Sequence, residues 1–382
     1  MNIAKKHPGF SQTVIALAVL AAFGPAHAED GDDLAQLTKP ESSVSVGVGA
    51  ASGGEKDRAL FGQYNGLRKD SVNLLLDLDY VKRNDATGTW TTVRGRNLGL
   101  DNRELGFSMQ KQGDWKFSAD YNEITRHDPR TINTGMLNAG TTTPTVNLLS
   151  APGTGSELNL ELRRKGLGFG VEKWLTPSLQ LEVNFKNEDK DGARLFGKGF
   201  ACTSSAAPGC AAGSATATGT ARLFVPEPID SSTKQVDAKL NYSGEKLMLS
   251  GGYYGSFYNN MNGTLTPTVP GTLNNPLGTP LPLSTGLQSI LQLPMALPPD
   301  NQAHQLYLSG SYAFTPKTRS TFKLAYTHAT QDDNFLGSGL TGAPAGRTSL
   351  DGVLDTTLAQ FGLTARPMPK LFLLANLRYE DK

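Results

Sequence analysis

Residues 178–186 read Ser178-Leu179-Gln180-Leu181-Glu182-Val183-Asn184-Phe185-Lys186. In an extended chain successive side chains point to opposite faces. Leu179, Leu181, Val183 and Phe185 therefore share one side, and Gln180, Glu182, Asn184 and Lys186 the other. A period of two with one apolar side describes a strand held between two different environments. The alternation returns in Gln235 to Tyr242, where Val236, Ala238, Leu240 and Tyr242 oppose Asp237, Lys239 and Asn241. It returns again in Thr321 to His328, where Phe322, Leu324 and Tyr326 oppose Thr321, Lys323 and Thr327. One such segment says little; recurrence along the chain defines an architecture.

The pattern predicts strands over 43–51, 57–67, 71–82, 101–111, 114–125, 156–174, 178–189, 234–243, 246–257, 303–314, 318–329, 355–366 and 370–380. Tight turns are expected at Gln112-Gly113-Asp114, Thr176-Pro177, Ser243-Gly244-Glu245, Thr315-Pro316-Lys317 and Pro367-Met368-Pro369. Long connections rich in Gly, Pro, Thr, Ser and Ala are expected at 127–155, 190–233, 258–302 and 330–354. Short and long connections alternate, as they do when strands run up and down through one membrane with short periplasmic turns and long outer loops. The fold class is thus all-β: a transmembrane antiparallel β-barrel, up-and-down and porin-like. Within 156–174, Leu158, Leu160 and Leu162 are in one phase and Leu167, Phe169 and Val171 in the other, which predicts a bulge or a strand projecting beyond the membrane. Trp115, Trp174, Tyr253, Tyr254, Phe257, Tyr258, Tyr312 and Phe314 cluster near strand ends, the position of interfacial girdles. Thirteen strands is an odd number, and a bacterial single-chain barrel closes on an even one. The reading is accordingly a barrel incomplete at its C-terminus, where Arg378-Tyr379-Glu380-Asp381-Lys382 directly follows a strand.

Composition fits a barrel better than two soluble domains. Hydrophobic residues make up 38% and Gly numbers 42 in 382 residues, with a mean hydropathy of -0.31. A membrane barrel needs apolar side chains on its outer face only. A net charge of +1 argues against a nucleic-acid binder. At the N-terminus, Lys5, Lys6 and His7 precede an apolar run from Val14 to Phe23, and Ala26-His27-Ala28 offers small residues for cleavage. Residues 1–28 thus read as a secretory signal peptide, with the mature chain starting at Glu29. Residues 29–42 then form a periplasmic N-terminal segment and 43–382 the barrel, in the outer membrane of a Gram-negative cell. For an exported chain, Cys202 and Cys210 are expected to form a local disulfide closing a loop. Free thiols are the alternative, and the spacing fits no common zinc pattern.

No catalytic constellation stands out, and the expectation is a protein that is not an enzyme, with no catalytic, cofactor-binding or metal residues to nominate. His127, His304 and His328 are far apart in sequence, and neither His-Glu-x-x-His nor Gly-x-Ser-x-Gly occurs. No Cys-x-x-Cys-His is present for c-type haem attachment. Gly47-Val48-Gly49 and Gly166-Leu167-Gly168 lack the strand-to-helix context of a nucleotide fold and read as relief of crowding. Asp77 and Asp79 alternate with Leu76, Leu78 and Tyr80 and read as a polar lumen face; Glu188, Asp189 and Asp191 form a second acidic group. In 283–298, Leu287, Ile290, Leu291 and Leu293 have helical spacing, as expected of a short loop helix packing within its own loop, the alternatives being an inward constriction or a partner-binding segment.

Several stretches resemble the MtrB/PioB family of decahaem-associated outer-membrane proteins. These are Phe61-Gly62-Gln63-Tyr64-Asn65-Gly66-Leu67, then Asn97-Leu98-Gly99-Leu100-Asp101-Asn102-Arg103-Glu104-Leu105, then Gly113-Asp114-Trp115-Lys116-Phe117 and Tyr121-Asn122-Glu123-Ile124. The resemblance covers residues 40–125 well and continues as a strand and loop pattern. It implies a wide sheath through the outer membrane, with a periplasmic decahaem c-type cytochrome in its lumen. An extracellular multihaem cytochrome would dock on its loops. Haem would be carried by the partner and none bound directly. Electrons would then cross for extracellular metal reduction or iron oxidation. Some family members carry a Cys-x-x-Cys near the mature N-terminus; this sequence has none. Enclosing a cytochrome needs a wide barrel, and thirteen strands are too few. The alternative from another class is a general outer-membrane porin or substrate transporter, which needs charged groups facing one another across a constriction.

Overall fold

A computed structural model describes residues 41–67, 70–147, 149–201, 220–274, 280–283, 285–337 and 344–382. The segments 1–28 and most of 29–42, and both Cys202 and Cys210, lie outside the described residues. One antiparallel sheet of 13 strands dominates. Its strands are β1 (Ser43–Ala50), β2 (Val72–Asn84), β3 (Thr89–Arg96), β4 (Arg103–Lys111), β5 (Trp115–Thr134), β6 (Ser156–Thr176) and β7 (Leu179–Ala201). They continue as β8 (Thr220–Ser243), β9 (Leu247–Asn260), β10 (Asn301–Thr315), β11 (Thr318–Gln331), β12 (Gly352–Met368) and β13 (Leu371–Asp381). Each strand pairs with its neighbours in sequence, and β1 and β13 are the two edges, so the sheet is open. That arrangement is consistent with an incomplete barrel. No described helix is long and apolar enough to cross a membrane.

The strand number matches the sequence expectation, but two assignments cancel. Residues 57–67 are not a strand. Glu55–Gly62 form a helix, α1, and a turn follows. Glu55 and Asp57 sit in its first turn, where the helix N-terminus favours negative charge. Beyond it, Asn65-Gly66 turns the chain, with Gly66 at φ +76°. Conversely, β3 escapes the alternation rule because Thr91, Val93 and Gly95 give its apolar side little hydrophobicity while Trp90 lies on the polar side. The β2–β3 turn is sharpened by Asn84, whose side chain accepts hydrogen bonds from the amides of Ala86 and Thr87, and by Gly88 at φ +65°.

Register makes the sheet two-faced. Residues directly opposite each other share a face, so one row reads Met109, Phe117, Val171, Val183, Ala238 and Tyr253 across β4 to β9. The neighbouring row reads Gln110, Lys116, Glu172, Glu182 and Lys239 across β4 to β8. The apolar face is the lipid face, and the polar face lines the interior. Connections 112–114, 177–178, 244–246, 316–317 and 369–370 lie at one end, the periplasmic end by the usual rule for such barrels. Connections 51–71, 97–102, 135–155, 261–300 and 332–351 lie at the other.

The long connections are shorter than the sequence suggests, because strands run on past the membrane. β5, β6, β7 and β8 have 20, 21, 23 and 24 residues, whereas about 9–11 cross the hydrocarbon. This explains the phase change in β6. Its alternation is continuous, and the irregularity lies in the partner, where β5 passes from His127 to Thr131 while β6 passes from Glu161 to Asn159. What changes is the surroundings. Inside the membrane the lipid face carries Leu167, Phe169 and Val171; above it, the same face carries Lys165, Arg163 and Glu161. The inner face correspondingly turns apolar, with Leu160 buried.

A small apolar core sits on that inner side. Leu223 and Val225 of β8 pack with Leu265, Val269, Leu287, Leu291, Met295 and Leu297 of the 261–300 connection, and Met136 and Val146 join from 135–155. Thr285–Leu291 is the expected helix, α2, with Leu287 and Leu291 buried. The loop packs on itself and on a second loop: Val146 N donates to Thr268 O (2.8 Å), and Thr268 N to Pro144 O (2.9 Å). Of the expected girdle, Trp115, Tyr253, Phe257, Tyr312 and Phe314 hold the lipid-face phase, whereas Trp174, Tyr254 and Tyr258 face inward.

Placing an arginine at Val183, on the lipid face, is expected to destabilise the folded protein in lipid vesicles by about 2–4 kcal/mol. Asn184→Arg, one residue away on the inner face, should cost under about 1 kcal/mol. Urea titration of the vesicle-inserted protein distinguishes the two.

Candidate functional site

The inner wall is a polar ladder in which several charges are satisfied within the wall. Lys116 Nζ lies 2.8 Å from Glu172 Oε1, and Gln180 Nε2 donates to the other carboxylate oxygen at 3.1 Å. On the next strands Glu182 accepts from Lys239 Nζ (3.0 Å) and Asn184 Nδ2 (2.8 Å). Ser250 Oγ donates to Asn241 Oδ1 (2.7 Å), and Tyr307 OH donates to Asp237 Oδ1 (2.8 Å). Charge-assisted hydrogen bonds of this kind fix side-chain rotamers flat along the wall. Between these rungs runs a lane without side chains at Gly166, Gly168 and Gly170 of β6. A Cβ on Gly168 would lie 2.3 Å from Asp120 Oδ1. The carboxylate folds into the space the glycine leaves, so the Gly166-Leu167-Gly168 reading as relief of crowding holds. Asp77 and Asp79 also fulfil the lumen-face reading. Asp79 pairs with Arg96 at 2.8 Å, and Asp77 Oδ1 accepts the Asn97 amide at 2.7 Å. Glu188 faces inward while Asp189 and Asp191 lie on the opposite phase, so the second acidic group is not one site. Among the described residues no group of His, Cys, Asp and Glu could hold a metal ion.

The stretches 61–67, 97–103 and 121–127 converge, and backbone chemistry explains why. β4 begins at Arg103 opposite Glu123, so β5 beyond that point has no strand on that side. An unpaired strand edge is a liability. Here it is sealed by loop atoms. Asn102 Oδ1 accepts the Thr125 amide (2.7 Å), and Gln63 O accepts the His127 amide (3.3 Å). Asn102 Nδ2 also donates to Tyr64 O (2.8 Å), tying the two stretches together. Arg126 stacks over the Tyr64 ring at 5.3 Å. The left-handed Gly66 lets this turn approach: a Cβ there would sit 2.6 Å from Asn102 N. Gly113-Asp114-Trp115 is not part of the cluster. It forms the tight turn at the periplasmic end, where Lys173 and then Lys111 hold the Asp114 carboxyl below its ordinary value.

Below the sealed edge lies an ionic knot that alternation alone does not reveal. Glu123 is 5% exposed and accepts from Arg103 Nε (2.9 Å) and Tyr121 OH (3.0 Å), with Arg163 Nε at 4.0 Å. Arg163 continues to Glu161 (3.0 Å) and Asp191 (3.8 Å). His127 stands between Asp101 (3.1 Å) and Glu161 (3.5 Å). Its sequence signal is a run of charges, Glu123, Arg163 and Lys165, in the phase that lower down is apolar.

The chain matches the sequence profile of the outer membrane beta-barrel porin family MtrB/PioB over residues 54–382. It is similar to outer membrane protein MtrB of Shewanella baltica (strain OS185), at 24% identity over 408 residues covering 98% of this chain and 52% of that protein. The chain thus spans about half the length of that relative. Among solved structures, OmpT of Vibrio cholerae is 14% identical, with a TM-score of 0.34 over 88% of this chain and 77% of that one. The FrpB iron transporter from Neisseria meningitidis is 10% identical, with a TM-score of 0.42 over 78% of this chain and 42% of that one.

Glu123→Ala should leave Arg103 beside an empty buried position and cost about 3–5 kcal/mol. Asn102→Ala should free the 61–67 segment with a smaller loss of about 1–3 kcal/mol. Limited proteolysis of the folded protein should then show new cuts between residues 52 and 67 in the Asn102 variant while the strands stay protected; uncut protein in that region would contradict the sealing role.

Proposed function

Since the chain belongs to the MtrB/PioB family of outer-membrane β-barrel porins, we propose that it acts as part of a non-enzymatic sheath around a decahaem c-type cytochrome, for electron transfer across the outer membrane. The observation that carries this reading is the inner wall. Lys116 with Glu172 and Lys239 with Glu182 neutralise one another strand to strand, and the Gly166, Gly168 and Gly170 lane keeps the wall low. A constriction for small solutes uses unpaired charges that face each other across a pore. Ion pairs already formed along the wall suit a folded protein, because contact does not leave those ions buried without a partner. Electrons hop between closely spaced haems, and the barrel's part is to supply a passage through lipid and a surface that holds the haem protein in place. The strand extensions beyond the membrane and the loop core above them offer a platform for an extracellular multihaem cytochrome.

Affinity purification of the full-length protein from its native cells, followed by a haem-stained gel, tests the reading. A haem-staining partner in about equal amount is expected, and cells lacking the barrel should lose reduction or oxidation of an extracellular electron carrier. Purified barrel that carries no haem protein and passes sugars in a liposome-swelling assay at porin-like rates would replace this reading with that of a diffusion porin.

A further inference from the structure

Above the membrane, one row of inner-face residues crosses four strands: Arg164 on β6, Lys190 on β7, Ser231 on β8 and Asn260 on β9. The row below it reads Gly166, Glu188, Thr233 and Tyr258. The upper row and Glu188, Thr233 and Tyr258 of the lower one line a cavity of about 270 Å³, with Pro298 from the 261–300 connection. Arg164 and Lys190 are directly opposite each other, an arrangement that destabilises a sheet when the charges are alike. Lower on the wall, Lys116 and Lys239 each lie beside a carboxylate. Arg194, the third cation at this cavity, is held by Glu227 at 2.8 and 3.1 Å, and Glu227 is 3% exposed. Arg164 and Lys190 have no carboxylate within ion-pair distance among the described residues. Glu188 lines the same cavity without bridging to either.

We propose that this cavity binds a soluble oxyanion of the phosphate or carboxylate class, held by Arg164 and Lys190 with the hydroxyls of Ser231, Thr233 and Tyr258 as further donors. A doubly charged oxyanion would neutralise two cations that the wall otherwise leaves in mutual repulsion. Burial first, and then Arg164 and Arg194, hold the Lys190 ammonium below its ordinary value, and an anion between them offsets the repulsion. The residues lie on the polar phase, opposite the lipid face, so a free oxyanion rather than a lipid headgroup is the ligand. The site stands independently of the sheath reading.

The test is calorimetric titration of the full chain in detergent micelles with inorganic phosphate, at an ionic strength held constant with sodium chloride. Saturable binding is expected. Lys190→Gln and Arg164→Gln should each weaken it about tenfold or more, Glu188→Gln should strengthen it, and Lys186→Gln should leave it unchanged. A second measurement uses the unaltered protein: inorganic phosphate should slow acetylation of the Lys190 amine, read by peptide mass spectrometry, relative to Lys186 and Lys239. Absence of saturable binding above the chloride background overturns the proposal. So does equal affinity in the Lys190 and Arg164 variants, or acetylation of Lys190 indifferent to phosphate. No cytochrome enters the assay, so each of these results leaves the sheath reading where it stands.

Discussion

Inside a bilayer no water is available to a backbone amide, and each unpaired one costs several kcal/mol. That demand organises the protein. Thirteen strands pair only with their neighbours in sequence, every connection at the periplasmic end of β4 to β13 is a few residues long, and side chains are left to alternate between lipid and interior. Above the membrane an unpaired strand edge is still a liability, and it explains the most conspicuous loop structure. Where β4 starts too late to cover β5, the Asn102 side chain and the Gln63 carbonyl take over the amides of Thr125 and His127. The stretches around Tyr64, Asn102 and Tyr121 that resemble the family are, in this light, a piece of hydrogen-bond completion.

Face and height are separate variables, and only the first is written plainly in the sequence. Leu179, Leu181, Val183 and Phe185 announce both a strand and its lipid side, and the structure agrees. The same rule fails for Thr89–Arg96, whose apolar phase is too weak, and misreads Asp57–Leu67, where turn chemistry at Asn65-Gly66 overrides a brief alternation. Height along the strand is set by partners far away in sequence. Leu158, Leu160 and Leu162 look like a change of phase, yet they keep the inner side and merely rise out of the membrane. Glu123 and Arg163 look misplaced on a lipid face for the same reason. The inner-wall pairs, such as Lys239 with Glu182, require register, which alternation does not specify.

The interior and the exterior of this wall solve charge differently. In the membrane zone, Glu172 and Glu182 on the inner face find Lys116 and Lys239 one strand away, and neither pair pays a full desolvation cost because the lumen remains polar. Above the membrane, the knot is centred on the buried Glu123, and its ion pairs act as fasteners between the 97–102 connection and the strands β4 to β7. Arg164 and Lys190 fit neither pattern, which is why they stand out.

Pairing restricted to consecutive strands also shapes how the chain can assemble. Closing a hairpin across 177–178 or 316–317 orders only a couple of connecting residues, and loop-closure entropy grows slowly even for 261–300. No step must wait for a distant segment to arrive. The wall can therefore grow one hairpin at a time from any starting pair, each new strand docking on a finished edge and presenting the next.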